Sequence, residues 1–308
     1  MSTNVEILDC DEPDASQREA FATREVSRRL TDHKVAARHF KPSDGLKAAV
    51  KVALKVGAPL LLTGEPGTGK TQVAFYLAWY FGVEESLFKL YVRSSTTAED
   101  LLYRFDTVAY FHRSQDPAYF GEEIQRDEFI SPGPLWKAYE SKAPAIVLID
   151  EIDKAPRDFP NDLLNVLDQH KFQVPELRGR TIARRSELPP PLVVITSNSE
   201  RRLPEAFLRR TIFHHIEFTS GLVREAVKAH QFDFPNLPPN LQEAAIRRFE
   251  ELRARPLRKR PATAELLVWL TVLSAEKGLT ADDLYAVALK DLPALSTLVK
   301  DREDMRQL

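Results

Sequence analysis

The chain has 308 residues, room for one large domain or two modest ones. Apolar residues make up 43% and charged residues 29%, a balance that fits a packed core under an ordinary surface and excludes a wholly disordered chain. The formal net charge of −2 supplies no global field toward nucleic acid or membrane, so any anion site must be built locally.

The longest apolar runs, such as PLLL and AIVLI, are too short to cross a bilayer. The single cysteine, Cys10, has no intramolecular disulfide partner and fits a reducing compartment. No basic region followed by an apolar stretch opens the sequence, so a cytoplasmic location without membrane attachment is expected.

Residues 1–35 are rich in Asp, Glu, Arg and Ser and are expected to form a flexible arm, with a frayed helix around SQREAFATREVSRRL. From Ser43, DGLKAAVKVALKVG carries apolar residues at helical spacing and stops at Gly57, a predicted C-cap. Five short apolar runs follow: PLLLTG (59–64), LFKLYV (87–92), AIVLID (145–150), LVVITS (192–197) and TIFHHIEF (211–218). Most lack polar alternation, as strands buried on both faces do. Helix-like stretches lie between several of them, including TQVAFYLAWYFG and DFPNDLLNVLDQH. This alternation predicts an α/β domain over residues 36–219, with a five-stranded parallel sheet between layers of helices. Beyond Ser220 the strand signal stops. LVREAVKAHQ, NLQEAAIRRFEELRAR, ATAELLVWLTVLSAEKG and ADDLYAVALKDL predict a separate all-α domain over 220–308.

GEPGTGKT, from Gly64 to Thr71, matches the phosphate-loop pattern at every fixed position and lies between a predicted strand and a predicted helix. Glycines let Gly64, Glu65, Pro66, Gly67, Thr68 and Gly69 wrap the backbone around phosphate oxygens, and the helix beginning at Lys70, Thr71 and Gln72 adds its positive end. Lys70 is placed to reach the β and γ phosphates, and the Thr71 hydroxyl to ligate Mg²⁺.

AIVLIDEIDKAP ends an apolar strand on an acidic pair. Asp150 is the expected metal-side carboxylate and Glu151 the expected group that orients or deprotonates the attacking water. Asp153 is read as a further carboxylate or as the cap of the next helix. In LVVITSNSE another buried strand ends beside Asn198, and ligands gather at the carboxyl ends of strands in open α/β sheets. Asn198 is therefore expected to contact the γ phosphate or the water.

In this order GEPGTGKT, LIDEID, ITSN and LPEAFLRR, followed by a helical domain, resemble an AAA+ ATPase. SSTTAEDLLYRFDTVAYF, FISPGPLWKAYESKAPAIVLIDEIDKAP and SNSERRLPEAFLRR resemble its MoxR branch, over roughly residues 40 to 275. The resemblance implies ATP and Mg²⁺ as cofactors, a usually hexameric ring and a helical lid. It implies an arginine finger at Arg209 or Arg210 reaching the next subunit's γ phosphate. It also implies a second sensor at Arg260 or Arg258 in RKRPATAELL, although in most of the branch that arginine follows a proline inside the motif. Arg201 and Arg202 read as solvated or interface charges.

Two segments face outward on this reading. The aromatic-rich stretch Thr96–Ser141 either forms a pore-facing loop or packs its rings as a satellite core. KFQVPELRGRTIARRSELPPP (171–191) resembles the branch's pre-sensor hairpin and is locally basic. His112, His214 and His215 lack metal-ligand spacing. The expected function is remodelling or activation of a protein partner, possibilities including a von Willebrand A-domain protein. The alternatives are a nucleic-acid-directed motor or loader using the basic hairpin, and a nucleotide switch without hydrolysis.

Overall fold

A computed structural model describes residues 22, 33–119, 124–276 and 278–308. Cys10 and, apart from Ala22, the frayed helix expected around residues 16–30 lie outside the described residues. The chain divides into two compact units, one over Phe40–Phe218 and one over Thr219–Leu308, the latter joined by the N-terminal segment ending at His39.

Among the described residues of the first unit nine strands form: β1 (Leu60–Gly64), β2 (Leu87–Tyr91), β3 (Tyr103–Phe105), β4 (Ile130–Pro132), β5 (Ile146–Asp150), β6 (Lys171–Val174), β7 (Arg180–Ala183), β8 (Leu192–Ser197) and β9 (Ile212–Ile216). The five predicted runs form a parallel sheet in the order β2-β5-β8-β1-β9. Every residue of β5, β8 and β1 is buried. Such strands pack side chains on both faces, which is why their sequences are unbroken apolar runs. At the two edges, β2 and β9 are only partly covered, and β9 alternates half-buried with exposed residues.

Register carries the functional ends together. Leu60 of β1 lies beside Val194 of β8 and Ile212 of β9, while Ile146 of β5 lies beside Leu192 of β8. The carboxyl ends of β1, β5 and β8 therefore emerge side by side.

The helix Asp44–Val56 begins where the Ser43 hydroxyl accepts from Leu46 N at 3.2 Å and ends at Gly57 with φ 73°. It buries Leu46, Val50 and Ala53, an i, i+4, i+7 stripe. The helix Lys70–Tyr80 follows the phosphate loop and buries Val73, Ala74, Leu77 and Ala78. The helix Phe159–Gln169 buries Phe159, Leu163 and Leu167.

The aromatic stretch is not a bare loop. It contains the helices Ala98–Leu102, Thr107–Gln115 and Pro134–Glu140, and β3 pairs antiparallel with β4. Several of its rings join the main core and not a satellite: Trp136 and Tyr139 are buried in one cluster with Leu61, Val147 and Ile149 of the sheet, Tyr103 meets Trp136 edge-on and Phe172 of β6 face-on, and Tyr139 also reaches Phe172. Tyr110 lies between Phe105 and Phe129, whereas Phe111 is exposed. Gly133 is required at the turn after β4, because a Cβ there would lie 2.5 Å from Leu101 O. Phe120 lies outside the described residues.

Lys171–Ala183 folds as the β6–β7 hairpin. Its arginines and those just after it largely serve this chain. Arg180 pairs with Glu140, Arg185 Nε donates to Glu140 O, and Arg184 donates to Leu188 O. His215 also has a local task, its Nδ1 lying 2.9 Å from Thr63 Oγ1. Among the described residues no His, Cys, Asp and Glu group has the geometry of a metal site.

The second unit is helical, with helices Ser220–Ala229, Pro239–Arg253, Thr263–Ala275, Ala281–Ala286 and Arg302–Gln307. Its core holds Leu241, Phe249, Leu266, Trp269, Leu273 and Leu284, and Trp269 Nε1 donates to Pro293 O at 2.7 Å. Pro261, expected at a helix start, precedes it: the helix begins at Thr263, and the Glu265 carboxylate accepts from Ala262 N at 3.0 Å. No described helix is long and apolar enough to cross a membrane.

Candidate active site

The phosphate loop joins buried β1 to the helix Lys70–Tyr80 through three glycines with positive φ: Gly64 at 150°, Gly67 at 77° and Gly69 at 84°. These are conformations that side chains oppose. At Gly64 space forbids one as well, since a Cβ would lie 2.5 Å from Ile216 O of β9. Glu65, Pro66 and Gly67 form the exposed crest, while Thr68 is buried and donates from Oγ1 to Glu65 O at 2.9 Å. Gln72 is half-buried one turn into the helix.

Lys70 is 6% exposed and donates to Gly64 O at 2.9 Å and Glu65 O at 2.8 Å. Burial pulls its ammonium pKa below the usual lysine value, opposed by the charges of Asp153, Asp150, Glu151 and Glu65. A desolvated cation beside a glycine-rich loop suits an anionic ligand.

Asp150, at the end of β5, accepts on Oδ1 from two hydroxyls, Thr71 Oγ1 at 2.8 Å and Thr196 Oγ1 at 2.6 Å. Thr196 in turn accepts from Glu151 N at 2.8 Å. The buried threonine of β8 thus links both members of the acidic pair. Glu151 turns the chain out of β5 in the left-handed region, φ 60° and ψ 52°. That turn carries its carboxylate toward β8, where Asn198 Nδ2 donates to Oε1 at 3.1 Å while Lys154 Nζ donates to Oε2.

Asp153 does not cap a helix. Its buried carboxylate accepts from Asn198 N at 3.2 Å and Glu200 N at 3.0 Å, pinning the turn after β8. The structure therefore gathers Lys70, Thr71, Asp150, Glu151 and Asn198 at the carboxyl ends of three adjacent strands. The hydroxyl and carboxylate oxygens of Thr71 and Asp150 are hard donors suited to a divalent cation, and the Lys70 loop suits phosphate, so the residues present fit a magnesium-bound nucleotide.

The two candidate finger arginines differ. Arg209 ends the short helix Glu205–Leu208 with its side chain 80% exposed and a 3.5 Å contact to Glu205. Arg210 is tied down, with Nε donating to Asp168 Oδ2 at 3.0 Å and a terminal nitrogen to Ala206 O at 3.1 Å. Arg201 and Arg202 are exposed, and Arg201 reaches Ala155 O at 3.3 Å. Within the helical unit, Arg260 is exposed on the segment before Thr263, and Arg258 pairs with Glu303. Asp304 is fully buried and holds that segment by accepting from Arg258 N at 2.8 Å and Lys259 N at 3.0 Å.

Residues 59–211 match the model of the AAA domain, dynein-related subfamily. The chain carries an AAA domain. An ATP-dependent Clp protease ATP-binding subunit ClpA homolog of Trieres chinensis is 28% identical over 153 residues, 48% of this chain and 14% of that protein. Chaperone protein ClpB 2 of Thermosynechococcus vestitus is 30% identical over 152 residues, 49% of this chain and 15% of its own length. YehL of Escherichia coli K12, described as uncharacterized, is 24% identical over 282 residues, covering 83% of this chain and 72% of that protein. The chain thus spans only 14% and 15% of the two Clp proteins, and the match to them falls on about the length of the AAA domain.

Thr196 went unread in the sequence, Asp153 was read there as a further carboxylate or a helix cap and not as a clamp, and Asp304 went unread. The first had a visible signal, a threonine interrupting the apolar run LVVITS. The other two act through backbone amides distant in sequence, which no local pattern encodes.

Proposed function

We propose that this chain binds Mg-ATP and hydrolyses it within a ring of its own copies, and that the cycle remodels or activates a partner protein. The observation that carries the reading is the join between strand ends: Thr71 on Asp150 at 2.8 Å, beside Asn198 on Glu151 at 3.1 Å. When bound, Mg²⁺ neutralises developing charge on the phosphates, and Thr71 and Asp150 would hold it.

The remaining steps belong to the chain. Lys70 binds the β and γ phosphates, exchanging its bonds to Gly64 O and Glu65 O for phosphate oxygens. Glu151 orients the attacking water and takes its proton, and Asn198 fixes that carboxylate and water against the terminal phosphate. Arg209, the more exposed of the candidate fingers, reaches the nucleotide of a neighbouring copy, and a second sensor at Arg260 or Arg258 rests on the resemblance alone.

Ring assembly, hexameric by resemblance to the MoxR branch, and a protein partner such as a von Willebrand A-domain protein belong to this proposal. The Clp relatives named as chaperone and protease subunits support remodelling of proteins. A nucleic-acid-directed motor draws less support, because Arg180 of the β6–β7 hairpin and Arg184 and Arg185 just after it already bond to their own chain. The test pairs an ATP-binding measurement with phosphate release for wild type and Glu151→Gln. The reading expects equal binding and lost turnover in the variant; equal turnover refutes the role given to Glu151.

A further inference from the structure

After Glu151 a short 3₁₀ turn, Ile152–Lys154, swings Asp153 back under the end of β8. Asp153 is 3% exposed. Burying a carboxylate is costly unless its oxygens are satisfied, and here backbone amides satisfy them. Oδ1 accepts from Asn198 N at 3.2 Å and Oδ2 from Glu200 N at 3.0 Å. Between these, Ser199 adopts φ 61°, and its amide donates to Ser197 Oγ at 3.0 Å. Three successive amides are thus held by side chains, and a non-glycine residue stays in the left-handed region because both flanking amides are anchored.

The consequence lies at Asn198. Its backbone is fixed by Asp153, while its side-chain amide reaches Glu151 Oε1 at 3.1 Å. Glu151 and Asp153 leave the same turn, so one short segment sets both the carboxylate and the backbone of its amide partner.

We infer that Asp153 is a positioning residue for ATP hydrolysis: its carboxylate clamps the Asn198–Glu200 turn and so holds the Asn198 amide on Glu151. This rests on the hydrolytic reading above. Asp153 touches neither nucleotide nor water in this account; it acts through Asn198. Misplacing a positioned group by about 1 Å costs on the order of 100-fold in rate.

The test uses the full chain in four forms: wild type, Asp153→Ala, Asn198→Ala and the double variant. Phosphate release gives kcat and KM, and amide hydrogen exchange without nucleotide reads the turn itself. Asp153→Ala is expected to lower kcat on the order of 100-fold with KM within about twofold. The double variant is expected to be no slower than Asn198→Ala, because the clamp works only through that side chain. Exchange at Asn198 and Glu200 is expected to accelerate in Asp153→Ala and to stay slow in Asn198→Ala. Asp153→Asn, which keeps the shape and one acceptor, is expected to recover part of the loss. Additive losses beside normal wild-type turnover, or unchanged exchange in Asp153→Ala, would overturn this inference alone. Absent wild-type turnover would instead refute the hydrolytic reading along with the role in catalysis.

Discussion

The Thr71 hydroxyl donates to Asp150 Oδ1 at 2.8 Å, joining the first turn of the phosphate-loop helix to the end of a strand that is not its neighbour in the sheet. β8 stands between β1 and β5, and its Thr196 meets the same oxygen at 2.6 Å. The site is thus braced across three strands by hydroxyl groups around one carboxylate.

That brace makes Thr196 the first object of prediction. Thr196→Val keeps the shape but removes the acceptor for Glu151 N and the donor to Asp150. A buried group left without its partner costs about 1–3 kcal/mol, so the urea midpoint is expected to fall by that equivalent. ATP turnover is expected to fall as well, since the left-handed turn at Glu151 loses its anchor. A variant as stable and active as wild type would show that the bridge is incidental.

Glu151→Gln separates binding from chemistry. The amide side chain keeps an acceptor for Asn198 Nδ2 but takes no proton. Turnover is expected to drop by about 100-fold or more, with ATP affinity retained. Equilibrium binding of a fluorescent ATP analogue, read beside phosphate release, checks both halves.

The two arginines should not behave alike. Arg210 is held by Asp168 and Ala206, whereas Arg209 is largely solvated and free to meet another subunit. Arg209→Ala is expected to reduce turnover by roughly 1,000-fold, the scale of a lost arginine finger. Arg210→Ala removes an exposed ion pair worth at most about 1 kcal/mol and is expected to cost far less turnover. Equal losses would assign the finger to neither residue alone.

The helical unit offers a pH dependence. Hydrogen bonds from Arg224, then from Arg247, together with their charges, hold the Glu243 carboxyl below its ordinary 4.5 despite partial burial. A depressed folded-state pKa means stabilisation that is present above 4.5 and lost as pH falls through the lower folded value. Glu243→Gln should therefore weaken unfolding resistance near pH 7 and make little difference near pH 3. Urea midpoints at the two pH values measure this, and an equal difference at both would contradict the assignment.

Much of this was legible in the sequence because burial writes itself into composition. β1, β5 and β8 are wholly buried, so PLLL, AIVLI and LVVI are unbroken apolar runs, and their order gave the sheet. GEPGTGKT declared its glycines because positive φ excludes most other residues. β9 was less legible: it is an edge strand with exposed Phe213, and its histidines serve packing and Thr63. The clamps at Asp153 and Asp304 were invisible, since each acts on amides more than 40 residues away, a distance read from numbering alone once the contact is known. The proposed preference for Arg209 over Arg210 likewise rests on Asp168, a partner of Arg210 that only the fold supplies.

The most direct measurement is phosphate release from ATP and Mg²⁺ across a dilution series, for wild type and for Lys70→Ala. The account predicts turnover per subunit that rises with protein concentration in wild type, as a site shared between copies requires, and that vanishes in Lys70→Ala. Turnover that is the same at every dilution, or that survives loss of the Lys70 ammonium, would contradict it.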